Sequence, residues 1–258
     1  MTLFEPTIPF GEPELMRVSD FQRYLHEPGG PRCRGPVLES GARQAALSPS
    51  LLADLGRFEH SGRTSEMLEV LAACVRHSQE VVIYLQMADS VLPLTVFAIE
   101  RLVHCPIALE VLWANRPTEM RVLHVEPAIL RPPGDSEMSL VGEEQHYHSL
   151  RPVLWEVALR GSRATLLPEI AGNVAYRIAP DLDLGQLRVD GALTAAVQRL
   201  RGERVTMRQM ADWPGMSNER AARLLNALYL QSGLIVSRTK PSGFGDSWFG
   251  GLRNRDAL

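Results

Sequence analysis

Two histidines in this 258-residue chain have the type and spacing to bind a metal ion. Side chains two residues apart on a strand point to the same side, so His146 and His148 could supply two imidazole ligands. The set would be completed from nearby acids or from other thiol and imidazole groups: Glu143, Glu144, His104, Cys105 or His124. The alternative is two exposed histidines in an acidic loop. Since the sequence holds no HExxH, no paired CxxC and no second histidine pair, we predict no metal, with His146 and His148 as the candidates to test.

A second group of side chains could contact nucleic acid or a protein partner. Arg220 and Arg223 lie at the start of a predicted helix, where base-contacting side chains are found in helix-turn-helix complexes. Asn218 could read adenine, and Arg238 and Lys240 would reach phosphates from a following strand. Trp248 is either part of a last strand or an exposed aromatic anchor for a partner.

The charge balance of this region differs from that of the whole chain. Residues 190–258 hold ten arginines and lysines against six acids, an excess of four positive charges, whereas the chain carries a net charge of -3. That excess favours an anionic partner. Most of the predicted helix after Arg220 is alanine and leucine, however, which suits burial or a protein contact better than a DNA groove. We therefore predict protein binding, with DNA binding as the alternative.

The motifs of enzymes with readable signatures are missing from the sequence. There is no GxSxG for nucleophilic catalysis, no GxxxxGK[ST] phosphate loop, and no GxGxxG after a strand. We therefore predict a non-enzymatic protein without a cofactor, and a regulatory or scaffolding adaptor as its function.

Local signals place the candidate residues on two short helices and a strand. Thr206 and Gln209 have the spacing of a capping box, and Pro214 with Gly215 ends that helix. Ser217 caps the next helix, which should end in a left-handed residue at Gly233. Residues 234–236 then form a strand, and residues 247–249 can return as the other strand of a wing.

Residues 190–240 resemble the winged-helix superfamily. The resemblance lies in TMRQMADWPG, which starts at Thr206, and in GLIVS, which starts at Gly233 after an alanine- and leucine-rich third helix. It implies a C-terminal winged-helix domain over residues 190–258. Members of that superfamily are most often DNA-binding regulators, and some serve only in protein contacts.

The rest of the chain predicts an α+β fold with helices and a small mixed sheet. Residues 1–45 form an extended or partly disordered arm with a helical pattern at Leu15–Leu25, and residues 131–189 form a linker loop and a connecting helix that starts at Ser149. Between them, residues 46–130 make a mixed α/β domain. Two helices fall within residues 48–78, and the strand candidates are 81–85, 91–97, 109–113 and 121–125.

Composition sets limits on location. The chain is 45% hydrophobic and 22% charged, as in ordinary globular proteins. No apolar run is long enough to cross a bilayer, and the N-terminus lacks a signal-peptide pattern, so we predict no membrane contact. Three unpatterned cysteines favour the reducing cytoplasm.

Overall fold

The computed structural model describes residues 15–26, 46–60, 66–114, 120–134, 142–185 and 187–238. Its helices are α1 (Val18–His26), α2 (Pro49–His60), α3 (Met67–His77), α4 (Leu109–Ala114), α5 (Leu150–Arg160), α6 (Ala192–Gly202), α7 (Met207–Ala211) and α8 (Asn218–Leu230). Its strands are β1 (Glu80–Met87), β2 (Ser90–Phe97), β3 (Leu102–His104), β4 (Arg121–Pro127), β5 (Tyr147–Ser149), β6 (Val174–Ile178) and β7 (Leu234–Arg238).

Five strands form an antiparallel sheet in the order β4-β1-β2-β3-β5. β1 and β2 make a hairpin in which Met87 pairs with Ser90. Side chains alternate between the two faces of a strand, so Val81, Ile83 and Leu85 of β1 share one face, and all three are fully buried. This inner face is where the sheet meets the helices.

The helices α3 and α5 connect the sheet to the C-terminal part of the chain. α3 buries seven of its residues, and α5 contacts both α3 and α8. Trp155 of α5 is 1% exposed and belongs to the same hydrophobic core as the inner face of the sheet and the apolar side chains of α8. One continuous core therefore joins the two parts.

The opposite face of the sheet is covered in part by α1. The ring of Phe21 lies 4.7 Å from the ring of Tyr84 on β1, and Arg17 forms a β-bridge with Ser90. Phe97, on this face of β2, is fully buried. The sheet is thus a middle layer rather than a half-exposed surface.

The small C-terminal sheet takes its middle strand from upstream of α6. Tyr176 of β6 pairs with Val205 on one side and with Val236 of β7 on the other. The predicted capping box at Thr206 and the predicted cap at Ser217 are both present. The predicted returning strand at 247–249 lies outside the described residues.

The predicted α+β class with a small sheet is confirmed, and two local predictions are wrong. Residues 109–113 form α4 rather than a strand, because Leu109 and Leu112 recur at helical spacing and Leu112 is fully buried. The left-handed residue after α8 is Ser232, with φ of 58°, rather than Gly233. A side chain at position 233 has no space instead, since a Cβ there would clash with Leu182 Cδ2.

Within the part of the chain that the structure describes, no helix has the length and apolar character needed to cross a membrane.

Candidate functional site

The helix that carries the predicted binding residues is buried along almost its whole length. Ser217 accepts a hydrogen bond from the backbone N–H of Arg220 and so starts α8. Beyond its first turn, α8 turns buried side chains toward α5, α7 and β7, including polar Asn226, which is 0% exposed. Within α8, only residues 218–220 are exposed. The surface that α8 offers to a ligand is therefore its N-terminal turn.

Asn226 explains how α8 is fixed in the core. Its Oδ1 accepts a hydrogen bond from the Leu167 N–H at 2.9 Å, and its Nδ2 donates to the Thr165 carbonyl at 2.9 Å. Both backbone groups belong to the loop after α5, and a buried backbone group without a partner is costly. The side chain therefore fastens α8 to that loop.

Arg223 lies across the gap between α8 and α5. Its Nη1 donates to the Leu159 carbonyl at 2.8 Å, and its Nη2 lies 2.8 Å from a Glu219 carboxylate oxygen. Its Nε is buried without a hydrogen-bond partner. Arg223 is thus held toward α5 rather than extended from the surface.

Arg220 takes a different direction. Its Nη1 donates to the Gly215 carbonyl at 2.5 Å, and the residue is exposed. This bond orients the guanidinium along the turn between α7 and α8 without neutralising its charge.

Arg220 and Arg223 meet two further arginines at a cleft with a volume of about 320 Å³. The cleft lies between α5, the segment that leads into α6, and the first turn of α8. We call it the arginine cleft, and its lining residues are Glu156, Leu159, Arg160, Arg188, Asp190, Leu193, Arg220 and Arg223. The segment that carries Arg188 is held against α5, because the Arg188 carbonyl accepts a hydrogen bond from Trp155 Nε1 at 2.9 Å.

The lining has four arginines and two acids, which leaves two positive charges in excess. Arg160 is paired with Glu156 at 3.2 Å. Among the described residues, neither Arg188 nor Arg220 forms an ion pair with a carboxylate. The arrangement can therefore bind an anion, since guanidinium groups form paired hydrogen bonds with carboxylates and phosphates.

Sequence reasoning identified half of this arginine set. It found Arg220 and Arg223 from their place at a helix start, but it gave no weight to Arg160 or Arg188. Their separation from α8 in the chain leaves no local signal, and the fold alone brings them together. The other predicted residues lie elsewhere or outside the description: Asn218 and Arg238 are exposed and do not line the cleft, and Lys240 and Trp248 lie outside the described residues.

The two histidines of the predicted metal site do not share a strand. His146 ends a 3₁₀ turn, Glu144–His146, and β5 begins only at the next residue, so His148 alone lies in the strand. The ring of His104 lies 5.7 Å from that of His146. The described residues contain no group of three or more histidine, cysteine or acidic side chains placed to hold a metal ion.

His104 is instead a neutral core residue. It is 8% exposed, and its ring lies 4.9 Å from that of Tyr147. Burial lowers the pKa of His104 to about 4, with a further contribution from the nearby charges of His146 and His148 and a partial offset from Glu143. His104 therefore stays uncharged at neutral pH.

A second charged group, the Asp54 cluster, connects α2 to α3. It consists of Asp54, Arg57, Arg76, His77 and Glu169. The Asp54 carboxylate, 4% exposed, pairs with both arginines, and Arg76 also pairs with Glu169. Burial would raise the pKa of Asp54, but the hydrogen bond from His77 and the charges of Arg76 and Arg57 outweigh it and hold the pKa below its ordinary value.

Ser50 lies next to the Asp54 cluster and places a hydroxyl in series with an imidazole and a carboxylate. Ser50 Oγ lies 3.2 Å from His77 Nδ1, and His77 Nε2 lies 2.8 Å from Asp54 Oδ2. The order is that of a nucleophile triad. Here, however, two arginines share the carboxylate, and Ser50 Oγ also lies 3.2 Å from Ser48 Oγ. We assign the group to joining the two helices.

Comparisons with known proteins found no matching family model, no matching curated protein and no matching solved structure.

Proposed function

We propose that this chain is a non-enzymatic regulatory or scaffolding protein that binds other proteins. We further propose that its C-terminal part is a winged-helix module used for protein contacts. The order of α6, the Val205 bridge, α7, α8 and β7 supports the second proposal. The few cysteines, of which Cys74 and Cys105 are buried free thiols, support a cytoplasmic location.

The observation that carries the proposal is the burial of α8. A recognition helix must lay one face into the major groove. α8 buries Ala221, Ala222 and every residue from Leu224 to Leu228, so a groove-filling face is not available without unfolding the core. What α8 leaves at the surface is its first turn, beside a concave cleft of a size suited to a side chain of a partner.

The alternative is a DNA-binding regulator, and the exposed Asn218, Arg220 and Arg238 favour it. It predicts binding of random duplex DNA that weakens steeply with salt, because released counterions drive such binding. We expect no DNA binding by the purified protein at low salt. Micromolar binding that is lost when Arg220 is changed to Glu would favour the DNA reader instead.

Protein binding can be tested by photo-cross-linking at the cleft. Asp190 is exposed on the cleft lining, so p-benzoylphenylalanine at this position would contact a bound partner. We expect a defined, nuclease-resistant protein adduct in extracts of the source cells. The same group at exposed Glu100, in the turn between β2 and β3, is the matched control. An adduct that nuclease removes, or identical adducts at both positions, would contradict the proposal.

The non-enzymatic claim has its own test at Ser50. An activated serine reacts with fluorophosphonate probes. Because the Asp54 carboxylate is engaged by two arginines, we expect no labelling of the folded protein. Burial raises the pKa of the Cys74 thiol to about 12, so it too is a poor nucleophile. Labelling that is lost in both Ser50→Ala and His77→Ala would show an enzyme.

A further inference from the structure

We propose that the arginine cleft binds an acidic segment of a partner protein, with one of its carboxylates between Arg188 and Arg220. This inference rests on the proposed protein-binding function and names the chemistry of the partner. The cleft is the place where α5, the segment before α6 and α8 all present cationic groups to one concavity.

The arginines in the cleft are unequally paired, and two of them remain able to bind an anion. Arg160 has Glu156 as a partner, and Arg223 has Glu219. Within the described ranges, Arg188 and Arg220 have no carboxylate partner, although both line the same cleft. Like charges gathered in one concavity repel each other, so a ligand carboxylate there would relieve repulsion as well as form hydrogen bonds.

Two of the arginine side chains, and the backbone at a third arginine, are also held in place before a ligand arrives. Arg220 is oriented by the Gly215 carbonyl, and Arg223 by the Leu159 carbonyl. The chain at Arg188 is fixed by Trp155, which is 1% exposed. Such preorganisation reduces the entropy that binding must remove.

The lining favours a peptide over nucleic acid. Leu159 and Leu193 are half-buried and stand among the arginines, so the cleft offers apolar contact together with positive charge. A phosphodiester backbone offers no aliphatic side chain to these leucines. A short segment with acidic and aliphatic side chains satisfies both parts of the lining.

The proposal can be tested with a fluorescein-labelled peptide of glutamate and leucine and the full-length protein, by fluorescence anisotropy. We expect saturable binding that weakens about tenfold in Arg188→Ala/Arg220→Ala, since charge-assisted hydrogen bonds are lost. Asp190→Asn removes a repelling carboxylate and should strengthen binding by about twofold. Arg121→Ala, an exposed arginine on β4 outside the cleft, is the matched control and should bind as the wild type does.

Three outcomes would overturn the inference. The first is equal peptide binding by the wild type and the double variant, and the second is displacement of the peptide by inorganic phosphate at equal concentration. The third is tighter binding of duplex DNA than of the peptide at the same salt. If the cross-link at Asp190 still captures a protein while the peptide result fails, the proposed function stands and only the acidic class of partner is wrong.

Discussion

Arginine side chains gather at two places in this fold, the Asp54 cluster beside α2 and α3 and the arginine cleft between α5 and α8. In the Asp54 cluster both arginines meet a carboxylate, and the acid between them is 4% exposed. In the cleft, Arg188 and Arg220 line a concavity without a carboxylate partner among the described residues.

The comparison distinguishes arginines that stabilise the fold, in the Asp54 cluster, from arginines that can bind a ligand, in the arginine cleft. A buried ion pair holds its helices together because removal of one partner leaves an uncompensated charge. Exposed arginines beside a cleft contribute little to folding, and they remain able to pair with a ligand. Variants in the first group should therefore change the free energy of unfolding, whereas variants in the second should change affinity.

The largest expected effect on stability is at Asp54. Asp54→Ala leaves Arg76 and His77 without their shared acid, and we expect a loss of about 3 kcal/mol in the free energy of unfolding. Urea unfolding followed by circular dichroism would measure it. The control is Asp20→Ala, an exposed acid with an exposed partner, which should change stability by less than about 0.5 kcal/mol. Equal effects in the two variants would contradict the assignment of the Asp54 cluster.

The next largest effect is a change in the free energy of unfolding with pH, and it comes from His104. Its pKa is about 4 in the fold, below the value of about 6.5 in the unfolded chain, so the unfolded state binds more protons between these values. The free energy of unfolding should therefore fall as pH drops through this window, by up to roughly 3 kcal/mol. His104→Phe should remove most of this slope. Arginine does not titrate there, so any loss of peptide binding in the same window would have to come from unfolding or from the peptide's own acids.

Asn226 should follow with a somewhat smaller loss. Asn226→Ala leaves the Leu167 N–H and the Thr165 carbonyl buried and unpaired, and we expect a loss of about 2–3 kcal/mol, measured by urea unfolding. Asn218→Ala is the matched control, because that asparagine is exposed on the same helix. A neutral result at Asn226 would show that α8 is not fastened by this side chain.

A smaller effect is expected from a pair of glycines. Gly233→Ala would bring a Cβ against Leu182, at a cost of roughly 1–3 kcal/mol as the leucine shifts. Gly56→Ala in α2 meets nothing within 4 Å and should stabilise by about 0.5–1 kcal/mol through helix propensity. Thermal unfolding of both variants would show the opposite signs. Stabilisation at both would mean that Leu182 does not limit position 233.

The sequence predicted the parts of the fold that depend on neighbouring residues. The capping box at Thr206 and the cap at Ser217 are local hydrogen bonds, so residue type and spacing were enough. The wrong assignment at 109–113 came from a short apolar run, for which helix and strand patterns overlap. The strand β6 pairs with Val205 and with β7, which are far from it in the chain. Local patterns in the sequence therefore do not predict this pairing.

Of the candidate site, the sequence predicted only the arginines that lie on a single helix, α8. Arg220 and Arg223 were found because both begin α8. Arg223 is nevertheless held by a carbonyl 64 positions away, at Leu159, and no spacing rule reports such a contact. Arg160 and Arg188 reach the cleft only through the contact of α5 with α8 and the bond from Trp155 to the Arg188 carbonyl.

The most direct test of the account compares folding and binding in one variant. For Arg188→Ala/Arg220→Ala, urea unfolding and anisotropy with the glutamate and leucine peptide would be measured on the same preparation. We predict a free energy of unfolding within about 0.5 kcal/mol of the wild type, with affinity reduced about tenfold. A variant destabilised by more than about 2 kcal/mol, or one that binds the peptide as the wild type does, would contradict the assignment of these arginines to binding.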